Sequence, residues 1–204
     1  MPRVSVVFSS HNAGKLRELR GLLAHLPVDL LSLSDAGHGG LVVVEDGDTF
    51  EANAEKKARE AARRTTMVAL ADDSGLEVDA LGGRPGVKSA RFAHEHATDA
   101  ENNAALLAAL DEFRDEERSA RFRCTLCLVD PWSTRPATFV RGVCEGRIAR
   151  APSGTGGFGY DPLFLVDDAA GRAMAELSDD EKGSLSHRGR AFRGLESAFR
   201  ALFA

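Results

Sequence analysis

The sequence predicts an α/β protein, and three observations carry that prediction. The first is an N-terminal strand, Val4-Ser5-Val6-Val7-Phe8, followed by a small polar loop and a helix that puts Leu16, Leu19, Leu22 and Leu23 on one face. The second is a helical stripe of Phe50, Ala54, Ala58 and Ala61 leading into the apolar run Met67-Val68-Ala69-Leu70, which reads as a buried strand. The third is a pair of long strands, Ala120 to Asp130 and Ala137 to Cys144, joined by Pro131–Pro136 as a hairpin. A last amphipathic helix buries Ala191, Phe192, Leu195, Phe199, Leu202 and Phe203.

The 204 residues suffice for one well-packed domain or two small lobes. There is no repeat, no low-complexity segment and no clear linker. No apolar run approaches the roughly 20 residues of a membrane span. The N-terminus has no signal-peptide core, so the cytoplasm is the expected compartment and no membrane partner is expected. A net charge of −5 argues against general nucleic-acid binding. The three cysteines, an odd number, read as reduced thiols. Cys124 and Cys127 have CxxC spacing, but an offset of three on a strand sends them to opposite faces, as packing residues rather than zinc ligands.

The chemistry concentrates in Ala71-Asp72-Asp73-Ser74-Gly75, which the sequence places at the end of the Met67–Leu70 strand. Ligands of open α/β sheets bind just beyond carboxyl strand ends. Two adjacent carboxylates at such a place suit a divalent cation, while Asp, Ser and Gly also suit a turn. The residues alone leave both readings standing.

Ser9-Ser10-His11-Asn12-Ala13-Gly14-Lys15 resembles a phosphate-binding P-loop but fails its pattern, because Ser9 replaces the first glycine and Leu16 the Ser or Thr that would hold magnesium. Helix-start N–H groups and a lysine still suit a phosphate, and an ordinary loop is the alternative. Val28–Leu33 and Leu41–Val44 are further strand candidates. Glu45, Asp46 and Asp48 crowd the start of the second helix. Asp48 with Glu51 has capping-box spacing, and acids there are ordinary dipole partners, which leaves Glu45 at a strand end as the better ligand candidate. Asn53 and Lys57, four apart, share a helix face. Thr98 and Glu101 cap a helix from about Asp99 to Phe113. Four glycines surround Phe158 and Tyr160 in Pro152–Pro162, which reads as a loop that lets backbone approach a flat ligand. His187 and Arg188 stand at the start of the final helix, where cations need compensation. His94-Glu95-His96 reads as a surface loop rather than a metal pair.

Five segments together resemble one family, the inosine triphosphate pyrophosphatases. They are Ser10–Lys15; Thr49–Ala54 with Lys57-Ala58-Arg59; Ala71–Arg91; Gly154–Pro162; and Ala175-Glu176-Leu177 with Glu181-Lys182 and Ser186-His187-Arg188-Gly189. Their order and spacing cover essentially the whole chain. Lys88, Gly183, His94 and His96 depart from the family's usual pattern beside these motifs.

The resemblance implies an elongated mixed β-sheet with flanking helices, one domain over 1–204 with two lobes and a nucleotide-binding cleft. It implies a homodimer and Mg²⁺-dependent hydrolysis of aberrant purine nucleoside triphosphates (ITP, dITP, XTP) to monophosphate and pyrophosphate. By position, Asp73 matches the catalytic acid, Glu45 a carboxylate at the metal-phosphate centre, and Asp72 a neighbour supporting the metal shell. Ser10, Asn12, Lys15, Lys57 and Ser74 match groups around the triphosphate. Phe158, Gly159, Tyr160 and Asp161 match the loop that closes on the nucleoside, and Lys182, His187 and Arg188 match groups that hold the base. Such donors would favour a 6-oxo purine over adenine. The rival expectation is another Mg²⁺-dependent triphosphatase that releases inorganic phosphate. A non-enzymatic nucleotide sensor would lack the metal carboxylates, which are present here.

Overall fold

The computed structural model describes residues 3–202, with side chains described up to Phe199. Six strands form one mixed sheet in the order β2-β1-β3-β4-β5-β6: β1 (Val4–Phe8), β2 (Val28–Ser32), β3 (Val68–Val78), β4 (Ser119–Val129), β5 (Thr138–Ile148) and β6 (Phe164–Val166). Strand β1 runs parallel to β2 and β3, with Val6 opposite Val68 and Phe8 opposite Leu70, whereas β5 and β6 are antiparallel. The helices are α1 (Ala13–Leu23), α2 (Phe50–Thr65), α3 (Asp99–Ala109), α4 (Asp179–Leu185) and α5 (His187–Leu202). Among the described residues no helix is long and apolar enough to cross a membrane. The chain divides into two compact units. The first holds residues up to Asp73, Cys124–Arg141 and the chain from Ala191 on; the second holds Ser74–Arg123 and Gly142–Arg190.

In the first unit two apolar layers sandwich the parallel strands. Val68 and Leu70 of β3 pack with Leu19 and Leu23 of α1 and with Phe192, Leu195 and Phe199 of α5. Ala69 and Ala71 pack instead with Ala54, Ala58 and Ala61 of α2. The split follows from the two-residue period of a strand. Alanine on both partners removes side-chain bulk, so α2 lies close to β3. Cys124 and Cys127 fall in opposite layers, as their spacing predicts. The expected burial of Ala191, Phe192, Leu195 and Phe199 is observed, while the side chain of Leu202 and Phe203 lie outside the described residues.

Three local expectations are corrected. Strand β3 does not stop at Leu70 but runs through Ala71-Asp72-Asp73-Ser74-Gly75 to Val78, so neither turn nor strand end is found there. The segment Leu41–Val44 joins no strand. Its side chains alternate between half-buried and exposed, with Val42 77% and Val44 65% exposed, so the alternation reflects an extended segment lying on the surface rather than a ladder. The cap of α2 is Thr49, whose hydroxyl accepts from Ala52 N–H at 3.1 Å, rather than Asp48.

The second unit has its own core of Leu76 and Val78, Leu106 of α3 and Leu110 just past its end, Phe122, Tyr160, Leu163, Phe164 and Met174. The Thr98–Glu101 capping box opens α3 as expected, although the helix ends at Ala109 rather than Phe113. Behind it Arg118, only 2% exposed, donates to the carbonyls of Leu110 (2.7 Å), Ile148 (2.9 Å) and Ala149 (3.0 Å). One guanidinium thus satisfies the end of α3 and the segment leaving β5. Arg118→Met would strand three acceptors. It is expected to lower unfolding stability by about 3 kcal/mol, measured by urea denaturation; a loss within about 0.5 kcal/mol would refute this role.

Candidate functional site

In the first unit, the continuation of β3 decides where the two aspartates point. Asp72 follows Leu70 on the α1 face, and Asp73 follows Ala71 on the α2 face. Each meets a lysine there. Lys15 Nζ lies 2.8 Å from Asp72 Oδ1, and Lys57 Nζ lies 3.1 Å from Asp73 Oδ1 and 2.8 Å from Glu45 Oε1. Asp72 is fully buried, and Asp73 and Lys57 nearly so. The structure therefore brings Glu45 and Asp73 together at one ammonium group and turns Asp72 to the other face of the strand. Asp72 pairs with Lys15 on one face, and Glu45 and Asp73 share Lys57 on the other.

A residue whose role sequence reasoning missed completes this set. Asn53 is fully buried; its Nδ2 donates to Asp73 Oδ2 at 3.2 Å, while its Oδ1 accepts from Gly47 N–H at 2.8 Å. It ties the catalytic candidate to the loop that carries Glu45. A Cβ on Gly47 would stand 2.7 Å from Asn53 Oδ1 and 2.9 Å from Ala52 Cβ, so only glycine fits. The signal was present in the shared face of Asn53 and Lys57, but the loop partner was not visible in it.

At the start of α1, Asn12 caps the helix by accepting from Lys15 N–H at 3.0 Å, and Ser10 Oγ accepts from Asn12 N–H at 3.1 Å. Ser10, Asn12 and Lys15 thus stand together at a helix N-terminus, which favours anions. Ser74 lies within β3, half-buried, and belongs to the second unit.

Burial disfavours charge on Lys57, but the negative charges of Asp73, Asp72 and Glu45 outweigh it and raise its pKa, so the ammonium persists. Burial pushes the Asp73 carboxyl above its ordinary value. Lys57 opposes this, Glu45 adds to it and Lys15 opposes it.

Among the described residues no three His, Cys, Asp or Glu side chains converge as a metal cage. Magnesium needs none, because it keeps several waters and takes one or two carboxylates plus substrate phosphates. The Glu45–Asp73 pair, already converged on a cation in the form of Lys57, has the donor chemistry for it.

The second unit assembles the other expected group. Lys182 Nζ lies 2.8 Å from Asp161 Oδ2, which also accepts from Phe158 N–H at 3.1 Å. The half-buried Phe158 ring has Lys182 Nζ 5.6 Å and Arg188 Cζ 5.5 Å from its centroid. His187 stacks on Phe122 at 4.7 Å and 15°. Lys182, His187 and Arg188 are all buried. The Phe158 face supplies compensation of the kind the Arg188 cation at the start of α5 needs. Tyr160 is buried with its hydroxyl donating to Ser89 C=O at 2.8 Å; burial, and then the charge of Asp99, push that hydroxyl's pKa upward. It anchors the loop. Three of the loop glycines have a packing reason: a Cβ on Gly154 would meet Ala175 C=O at 2.7 Å, one on Gly156 the same carbonyl at 2.9 Å, and one on Gly157 would meet Asp161 Oδ2 at 2.0 Å. Gly189 likewise faces Gly183 C=O, which a Cβ would approach to 2.0 Å.

A mixed-sheet α/β chain with one set of groups suited to a polyphosphate and another suited to a flat ring defines a nucleotide-handling class of protein. The chain belongs to the Ham1 family, whose model matches residues 6–198. It is 53% identical over 191 residues to a dITP/XTP pyrophosphatase of Geobacter sulfurreducens, with 94% of each chain covered. Among solved structures it is similar to a HAM1 protein from Coxiella burnetii, with 41% identity, a TM-score of 0.86, and coverage of 97% of this chain and 99% of that one. It is also similar to a nucleoside-triphosphatase / dITP/XTP pyrophosphatase from Mycobacterium abscessus, at 45% identity and a TM-score of 0.73, covering 94% and 98%. The resemblance drawn from the five sequence segments is thereby established.

The charge pattern around Asp73 has a direct readout. In the metal-free protein its carboxyl carbon, followed by NMR, is expected to titrate above the ordinary carboxylate range. Glu45→Gln removes a neighbouring negative charge, which favours the ionised form, so the midpoint should move down. An unmoved or rising midpoint would contradict the assignment.

Proposed function

We propose that the chain is a Mg²⁺-dependent nucleoside triphosphate pyrophosphohydrolase acting on aberrant purine nucleotides (ITP, dITP and XTP) and releasing the monophosphate and pyrophosphate. The observation that carries this reading is the convergence of half-buried Glu45 and buried Asp73 on the buried Lys57 ammonium in a member of the Ham1 family. Relatives named dITP/XTP pyrophosphatase, 45–53% identical over nearly the whole chain, support the substrate class.

Lys15 and Lys57, with the Ser10–Asn12 helix start, would bind the triphosphate oxygens, and Ser74 would join them. Glu45 and Asp73 would hold the magnesium, with Asp72 in support through Lys15. Magnesium, when bound, supplies positive charge to the phosphate oxygens as charge develops on the leaving pyrophosphate. Asp73 would orient the attacking water and accept its proton. General-base assistance of this kind is typically worth about 10²–10⁴-fold. Asn53 keeps one Asp73 oxygen aimed by its hydrogen bond.

For the base, Phe158 would stack on the purine, with Gly159, Tyr160 and Asp161 shaping the loop. Lys182, His187 and Arg188 would supply donors to the 6-oxo group. Adenine, with an amino group there, would leave them unpaired, and such mismatches discriminate strongly. A single two-lobed domain, a homodimer and a cytoplasmic role in cleansing the nucleotide pool complete the reading.

The test is to incubate the protein with dITP, XTP, dATP and dGTP in Mg²⁺ and identify the products. Monophosphate and pyrophosphate from dITP and XTP, with dATP and dGTP spared, is the expected result. Release of inorganic phosphate would instead favour the triphosphatase alternative. Asp73→Asn should keep the fold and lose at least about 100-fold in turnover; near-wild-type turnover would remove Asp73 from the chemistry.

A further inference from the structure

The tip of the 152–162 loop is held by α3 through two residues of no assigned role. Asp99 and Asn103 are one turn apart and therefore share a helix face. Asp99 Oδ2 accepts from Gly159 N–H at 2.7 Å, and Asn103 Nδ2 donates to Gly159 C=O at 2.9 Å. Both backbone polar groups of one residue are thus gripped by one helix. Gly159 sits at φ +61°, in the left-handed region, and a Cβ there would meet nothing within 4 Å. Its glycine answers a conformational demand and not crowding.

We propose that Asp99 and Asn103 are positioning residues for the purine: by clamping Gly159 they set the direction in which Phe158 presents its ring. This rests on the reading of Phe158 as the stacking residue. Phe158 is held on its N-terminal side by its own N–H on Asp161 and on its C-terminal side by the clamped glycine. Only its two side-chain torsions remain free. The clamp therefore fixes the ring plane beside Lys182 and Arg188, while residues 151–157 leading to the tip are exposed. The adjacent Asn102 grips a second segment in the same way, donating to Ala90 C=O at 3.1 Å and accepting from Ala93 N–H at 3.0 Å. The start of α3 acts as a bracket for both. Ordering the loop before the base arrives lowers the entropy lost on binding, so the clamp contributes affinity without touching the ligand.

The experiment measures binding of inosine monophosphate and, separately, of pyrophosphate, which has no base, to the full chain by calorimetry. Asn103→Ala and Asp99→Ala are each expected to weaken inosine monophosphate by about tenfold. Pyrophosphate affinity and the thermal midpoint should stay near wild type, and the loss with dITP should appear in KM rather than kcat. Asp99→Asn keeps an acceptor oxygen and should restore most of the affinity, and slow exchange of the Gly159 amide should be lost only in Asp99→Ala. Unchanged inosine monophosphate affinity in both alanine variants, with a wild type that binds it, overturns the proposal, as does equal weakening of both ligands. A wild type that neither binds inosine monophosphate nor hydrolyses dITP overturns the functional reading itself, and with it the purine as the object of the clamp.

Discussion

The first unit depends on the alternation of side chains along one buried strand. Asp72 and Asp73 are neighbours in the chain, but the pleat of β3 sends them to opposite faces, and each face carries a helix with a lysine in reach. A buried carboxylate is tolerated only when paired. Lys15 and Lys57 are thus conditions for β3 to run straight through the site rather than turn away from it. The alanines of α2 and β3 make the second pairing possible, because a bulkier interface would hold Lys57 and Asn53 away from the strand.

That arrangement also separates two roles that adjacent acids would otherwise share. Asp72 is neutralised by Lys15 at the start of α1, a place already suited to anions. Asp73 shares Lys57 with Glu45, and its carboxyl is left above its usual range because burial and Glu45 together outweigh the two lysines. Asn53 joins the two halves of this set, since one amide reaches both the strand and the Glu45 loop.

The second unit solves a different problem, which is to hold a half-buried ring and several buried cations in one place. Asp161 links the ring's backbone to one of these cations, accepting from both Lys182 and Phe158 N–H. The glycines of the loop are required where backbone or carboxylate would strike a Cβ, at Gly154, Gly156 and Gly157. From sequence Tyr160 reads as part of the loop that meets a ligand, but its hydroxyl donates to Ser89 C=O, because a buried phenol must find an acceptor.

By itself the sequence determined the α/β class, the apolar faces of the helices, the capping of α3 and the identity of the chemical groups, because these rest on local periodicity and on residue types in order. Family membership was legible for the same reason, from segments such as Ser10–Lys15 and Thr49–Lys57. Only the tertiary structure decided that Ala71–Gly75 is strand, since Asp-Ser-Gly is a turn signal locally and is overridden once Lys15 and Lys57, distant in sequence, satisfy the charges. The same holds for Leu41–Val44, whose four apolar residues in a row suit a strand but do not say whether a neighbouring strand exists. Asn53, Asp99 and Asn103 were hidden for a common reason: each acts by binding backbone groups of a remote loop, and a backbone N–H or C=O carries no signature in the amino-acid sequence.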